Sequence, residues 1–395
     1  MMRVAYVLCT TKALTGSHIA FKNMLKGLTQ RGVDPIVVIP RYKGTQELLD
    51  DLQPLHLETF VVPFRFNIYP YLHTKKDYLL FFPKLVARYL VNKWGAMRLA
   101  SYLKKKKVDL VHTNVSVVNI GYSAAKKLGI PHIYHIREYG DRIGMHYFPS
   151  KQSFVNGLHA PLSHSICITK DIQNYFLGSD ISSSRVIYDG VYPQQVCIPS
   201  GEREPFILFV GRVEATKGVD QLLEAYADYV RQEPSPLPLH IVGDAPKPAF
   251  REKMETFVAD NNLSALVHFE GQSDEVTCWM RKAKVLVIPS PAEGFGFCMP
   301  EAMFNGCLVI ARDTGGTKEQ LDNGLHLTGQ DIALRYTTTK ELTALLQDVH
   351  RHPIDYYKAY TDRAFNTVNS LYTQERCAEE VFKLYQQIIN DCTNA

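Results

Sequence analysis

The sequence predicts an α/β protein of two domains, each built on a parallel sheet, and three observations carry that prediction. The chain has 395 residues, more than one hydrophobic core of usual size accommodates and suited to two domains of roughly 150–200 residues. Short β-branched runs alternate with helical patterns twice, once in each half, which implies right-handed βαβ crossovers and parallel pairing. Charge divides the chain as well. Residues 1–200 hold 25 Lys and Arg against 12 Asp and Glu, a balance of +13, while residues 201–395 hold 19 against 28, a balance of −9. A basic first half suggests an anionic partner.

In chain order, the opening run from Met1 to Val7 is too short and too soon interrupted for a signal peptide and reads as a strand. First-half strands are expected at 4–8, 36–39, 110–112, 132–135, 166–168 and 186–188. A helix over 17–32 places Ile19, Met24, Leu25 and Leu28 on one face. The proline-rich stretch 192–204 reads as a linker. Second-half strands are expected at 206–210, 239–242, 267–269, 285–289 and 308–311, with helices at 218–231 and 251–261 between them. A last helix at 374–390 carries Cys377, Val381, Leu384, Tyr385 and Ile388 on one stripe. The expected domains are 1–195 and 196–373, followed by the terminal helix 374–395.

Composition excludes several classes. No apolar stretch reaches the ~18–20 residues needed to cross a bilayer, the nearest being broken by Pro83, Lys84 and Arg88. The eight cysteines form no C-x-x-C pair, and several lie in apolar runs. That pattern fits a reducing, cytoplasmic compartment and neither a zinc site nor a disulfide framework.

The strongest chemical signal runs from Pro289 to Met303. A buried strand leads into a glycine loop, and a helix starts near Pro300, an arrangement that gathers backbone N–H groups into an anion site. Glu293 and Glu301 bracket this cradle. Carboxylates would repel phosphates, so they suit hydroxyls on either side of a diphosphate, as in a sugar and a ribose. The second signal is a strand ending at Gly211, then Arg212 and Lys217. Cations near a helix start gain nothing from its dipole, and a bound anion would compensate. Both segments fall beyond the carboxyl ends of strands, where open parallel sheets bind ligands.

Taken in order, G-R-x-x-x-x-K-G, H-I-V-G-D, F-x-G, P-S-x-x-E-G-F-G-x-x-x-x-E-A-M and G-G-x-x-E resemble retaining glycosyltransferase family 4, of the GT-B fold. The strong motifs cover about residues 206–319, with weaker matches at Gly16-Ser17, Val111–Asn114 and Ile187–Val191. The resemblance implies two facing Rossmann-like domains with the C-terminal helix crossing back to the first. It implies that Arg212 and Lys217 hold the donor diphosphate, Glu301 the ribose, and Glu293 with Gly294, Phe295, Gly296 and Phe297 the donor sugar. Gly211 adjoins that site, and residues near Gly243 and Gly271 would line the base pocket. His135 matches the histidine that faces the donor sugar across the cleft. Gly16 could bring backbone N–H groups near phosphate, and Ser17, Arg137 and Glu138 could serve the acceptor.

The chain departs from the family at Pro300, where leucine is usual, and after Glu319, where a glycine–leucine–valine run is missing. Between Phe64 and Lys107, Tyr69, Tyr71, Tyr78, Phe81, Phe82, Tyr89 and Trp94 interleave with cations. Such a stretch suits an anionic membrane interface or a solvated helix face.

The expected reaction moves a sugar from a UDP- or GDP-linked donor to a saccharide or lipid-linked acceptor, with retention and without a metal, in polysaccharide or glycolipid synthesis. The nucleotide sugar is a substrate, and no cofactor is expected. A sugar-nucleotide epimerase and a non-catalytic nucleotide-sugar-binding protein are the alternatives. Nucleic acid binding is disfavoured, because the aromatics form no RNA-binding motif.

Overall fold

The computed structural model describes residues 2–9, 16–70, 74–141, 145–199 and 201–394. The chain divides into two compact units, Met1–Gly190 with Gln374–Ala395, and Val191–Thr373.

The first unit contains β1 (Met2–Val7), β2 (Val33–Pro40), β3 (Glu58–Val62), β4 (Ile68–Pro70), β5 (Leu110–Thr113), β6 (His132–Ile136), β7 (Met145–Tyr147), β8 (Ser163–Cys167) and β9 (Ser184–Val186). Seven of these form a sheet in the order β3-β2-β1-β5-β6-β8-β9, with every pairing parallel. β4 and β7 pair antiparallel beside it. The central strands are buried on both faces, which is why they read as near-continuous Val/Ile runs.

Helix Gly16–Gln30 buries Phe21, Met24, Leu25 and Leu28. Ile19, expected on that face, is instead exposed. The last helix, Gln374–Asn394, belongs to this unit and lies on Gly16–Gln30. The contact is close: a Cβ on Gly27 would sit 2.4 Å from that of Ala378. Cys377, Val381, Tyr385 and Ile388 enter one core with Phe21 and Leu25.

Residues 75–106 form one long helix, opened by a capping box between Thr74 and Asp77. Its buried residues, Gly95, Ala96, Leu99, Ala100 and Leu103, all lie in its second half. Tyr71 of the expected aromatic stretch lies outside the described residues. Among the described residues, no helix is long and apolar enough to cross a membrane.

The second unit contains β10 (Glu204–Val210), β11 (Leu239–Val242), β12 (Val267–Gly271), β13 (Ala283–Ile288), β14 (Leu308–Arg312) and β15 (Leu334–Tyr336). They form a parallel sheet in the order β12-β11-β10-β13-β14-β15. Chain order reverses between β10 and β13, so a crevice opens beyond their carboxyl ends. Both units are Rossmann-like α/β layers. Helix Val219–Gln232 covers the second sheet with Leu222, Leu223, Tyr226 and Tyr229 at three- and four-residue spacing.

Candidate functional site

The crevice between β10 and β13 receives the two strongest motifs. Three strands end side by side, and each is followed or closed by a glycine: Gly211 after β10, Gly243 after β11 and Gly271 in β12. Gly211 N–H donates to the Val242 carbonyl at 2.9 Å, and Gly243 N–H donates to that of Gly271 at 2.7 Å. Gly243 has φ +149°, and a Cβ there would lie 2.0 Å from the Gly211 carbonyl oxygen. No side chain fits, so the sheet edge stays open for a flat ligand.

After Gly211 the chain makes a single 3₁₀ turn, Ala215–Lys217, before helix Val219–Gln232 begins. Gly218 is left-handed at φ +71°, and a Cβ would meet the Pro289 carbonyl oxygen at 2.3 Å. This close approach joins the two motifs. Lys217 Nζ then reaches Glu293 Oε1 at 2.6 Å, with both side chains mostly buried. Arg212 does not make that contact. Its side chain is 60% exposed and pairs with Glu214 at 2.9 Å.

Helix Gly315–Thr328 props the glutamate loop from beneath. Gly316 N–H donates to the Glu293 carbonyl at 2.9 Å, and a Cβ on Gly316 would fall 2.5 Å from the Gly294 carbonyl. Gln320 binds the Phe295 carbonyl oxygen at 2.5 Å, Phe295 is buried, and Gly296 is left-handed at φ +86°. Phe297 precedes helix Cys298–Phe304, where Pro300 is the third residue and needs no intrahelical donor. The helix from Gly315 continues through Glu319 to Thr328 without a break. The missing glycine–leucine–valine run is thus replaced by regular helix, with Leu321 and Gly324 buried.

Glu301 sits on the same short helix, and burial pushes its carboxyl up to about 7. Among the described residues its carboxylate accepts no hydrogen bond. A half-buried acid without donors holds its proton near neutrality and gains from any hydroxyl or N–H brought to it.

The first-half candidates gather at the carboxyl ends of β5 and β6 in the other unit. His135 is fully buried. Its Nδ1 accepts from Arg137 Nη2 at 3.2 Å and faces His112 Nε2 at 3.1 Å. That network assigns the remaining proton to Nε2, which makes no hydrogen bond among the described residues and lies 3.9 Å from Asp189 Oδ1. Burial, then the Arg137 charge, drives both imidazoles well below the usual histidine range, so both are neutral.

Arg137 ion-pairs with Asp189 in the buried interior. Tyr385 of the last helix bonds His112 Nδ1. Glu138 takes a separate path, accepting from Ser116 N–H at 2.9 Å and its hydroxyl at 2.6 Å. Burial raises its carboxyl, and these two bonds oppose the rise. Gly16 is the first residue of its helix, with open space around it, and the Ser17 carbonyl accepts from Asn114 Nδ2 at 3.1 Å.

Sequence reasoning gave no role to His112, Asp189 or Tyr385. The available signal was a polar residue at the end of an otherwise apolar strand, as in Leu110-Val111-His112-Thr113.

Two families match the chain. Glycosyltransferase Family 4 covers residues 15–195 and Glycosyl transferases group 1 covers residues 197–346. An uncharacterized glycosyltransferase of Methanocaldococcus jannaschii is 30% identical over 60% of this chain and 64% of its own length. The D-inositol 3-phosphate glycosyltransferase of Frankia alni is 36% identical over 36% of this chain and 37% of its own. The chain thus spans less than two thirds of either curated relative. HepE of Anabaena, solved in complex with UDP-glucose, has 17% identity and a TM-score of 0.72, each chain covered fully. At that identity the similarity shows the GT-B fold. With one family matched in each half, the chain belongs to the group 1/family 4 glycosyltransferases.

Proposed function

We propose that this protein is a retaining, metal-independent glycosyltransferase that moves a sugar from a UDP- or GDP-linked donor to a saccharide or lipid-linked acceptor. The observation that carries the reading is the meeting of Lys217 with Glu293 beside the partnerless carboxyl of Glu301, all at one sheet edge. Lys217 supplies positive charge for the departing diphosphate, and Arg212, free to swing from an exposed position, adds a second cation when donor binds. Glu293 and the 294–297 backbone take the sugar hydroxyls, and Glu301 takes the ribose. His135 stays neutral within the first unit, its Nε2–H directed toward Asp189.

As the glycosidic bond breaks, negative charge grows on the phosphate and positive character on the sugar. Fixed cations in a dry site stabilise that change without reorganising. The leaving phosphate accepts the proton of the attacking hydroxyl, so no covalent nucleophile is needed. UDP-glucose bound to HepE, a protein of the same fold, supports the uridine arm of the proposal. The basic, aromatic helix 75–106 supports peripheral contact with the cytoplasmic face of an anionic membrane, in the synthesis of cell-surface polysaccharide or glycolipid.

The test is to incubate purified protein with radiolabelled UDP- and GDP-sugars and a lipid extract, then assign the product's anomeric configuration by NMR. Retained configuration, undiminished by a chelator, supports the proposal. An isomerised donor with no transfer identifies an epimerase instead.

A further inference from the structure

Away from both motif sets, the first unit holds a cavity of about 640 Å³ between helices Lys75–Lys106 and Ile120–Leu128. Leu85, Tyr89, Met97, Phe148 and Pro149 line it, together with the polar Asn92, Asn119 and Ser123. Arg88, Lys93 and Lys127 also line it, and no carboxylate among the described residues does. The far wall is fixed by backbone: Asn67 N–H donates to the Val117 carbonyl, and Phe148 N–H to that of Asn67, each at 2.7 Å.

The cavity opens beside an apolar stripe. Leu79, Phe82, Val86 and Tyr89 follow three- and four-residue spacing along the long helix, Met97 lies eight residues further on, and all are exposed, Leu79 by 77% and Phe82 by 71%. A row of this length left to water marks an interaction surface. Charge selects the occupant. The helix carries nine Lys and Arg against one acid, Asp77. A second copy of this chain would set cations against cations, whereas an anionic bilayer complements them.

We propose that this cavity receives the hydrocarbon chain of an anionic phospholipid from the bilayer, while Lys93 and Lys127 hold its phosphate at the mouth. The proposal deepens the membrane contact suggested above and rests on it, but it involves none of the donor residues.

The probe is dodecyl phosphate below its micellar concentration, titrated by calorimetry. Inorganic phosphate and dodecyl maltoside serve as controls, and sedimentation with phosphatidylcholine vesicles, with and without phosphatidylglycerol, runs in parallel. The wild type should bind dodecyl phosphate saturably, ignore both controls at equal concentration, and sediment only with the anionic vesicles. Ser123→Phe, which fills the cavity, should weaken dodecyl phosphate at least about tenfold, since each buried methylene is worth ~0.8 kcal/mol. The Lys93→Glu/Lys127→Glu double variant tests the charge without filling the cavity and should weaken it similarly. In both variants, thermal stabilisation by nucleotide should be unchanged. Equal binding by wild type and both variants overturns the proposal. Vesicle binding without any dodecyl phosphate binding overturns the cavity and spares the membrane contact, and absence of both removes both.

Discussion

Lys217 Nζ lies 2.6 Å from Glu293 Oε1, joining a cation from the loop after β10 to an acid from the loop after β13, 76 residues apart in sequence. Backbone also ties these loops, through the close approach of Gly218 to the Pro289 carbonyl and the Gly316 N–H bond to the Glu293 carbonyl. A pair so placed is poised to separate, the lysine turning to a phosphate and the glutamate to a hydroxyl. Lys217→Ala should therefore leave the circular dichroism spectrum intact and reduce the transfer rate by about 10²–10³. An unchanged rate would remove Lys217 from the chemistry.

Glu301 predicts a pH dependence. Burial pushes its carboxyl up to about 7, and ribose hydroxyls bind the ionised form better. Donor affinity should then fall as pH drops below about 7, by up to tenfold per unit, until the bound-state pKa is reached. Glu301→Gln should weaken binding at pH 8 and flatten this profile. Calorimetric titrations between pH 5 and 8 check it.

The same acid shapes stability. Its folded pKa is raised from 4.5 to about 7, so between those values the unfolded chain releases its proton first. Stability therefore falls as pH rises through that window, and the penalty is full above it. Glu301→Gln should raise the melting temperature over wild type at pH 8, with no gain at pH 4. A gain equal at both pH values would contradict the assignment.

Arg137 and Asp189 form a buried pair within the first unit. Removing one partner strands the other charge and should cost about 3–5 kcal/mol, while an apolar double replacement should cost far less. Urea denaturation of Arg137→Met, Asp189→Leu and the double variant measures the coupling.

Helix Gln374–Asn394 depends on close packing at Gly27, where a Cβ would sit 2.4 Å from Ala378 Cβ. Gly27→Leu should force the two helices apart and destabilise the protein by about 1–3 kcal/mol or more. Thermal melts report the loss.

Much of this was legible in the sequence because buried parallel strands are apolar throughout. β1, β2, β10, β11 and β13 stand out as Val/Ile-rich runs for that reason. β3 and β15 did not, since both are edge strands with mostly half-buried residues. β4 and β7 are three residues each, shorter than any periodic signal. Helix patterning named Ile19 over Phe21, because both are apolar and only packing against β1 and β2 decides between them.

At the site, spacing brought Lys217 and Glu293 to one edge, since strand order fixes where their loops lie. It could not foresee that Arg212 turns to Glu214 and solvent, because side-chain direction depends on the local backbone after Gly211. The histidine network escaped for another reason: its bonds link β5, β6 and the last helix, and no local pattern records partners that far apart.

Nucleotide binding by purified protein tests the central claim most directly. Thermal shift with UDP and GDP should show saturable stabilisation, about 2.7 kcal/mol at 100 times the dissociation constant, and Lys217→Ala and Glu301→Gln should each reduce it. No stabilisation by either nucleotide, or stabilisation that both variants leave untouched, would contradict a donor site at the edge of the second sheet.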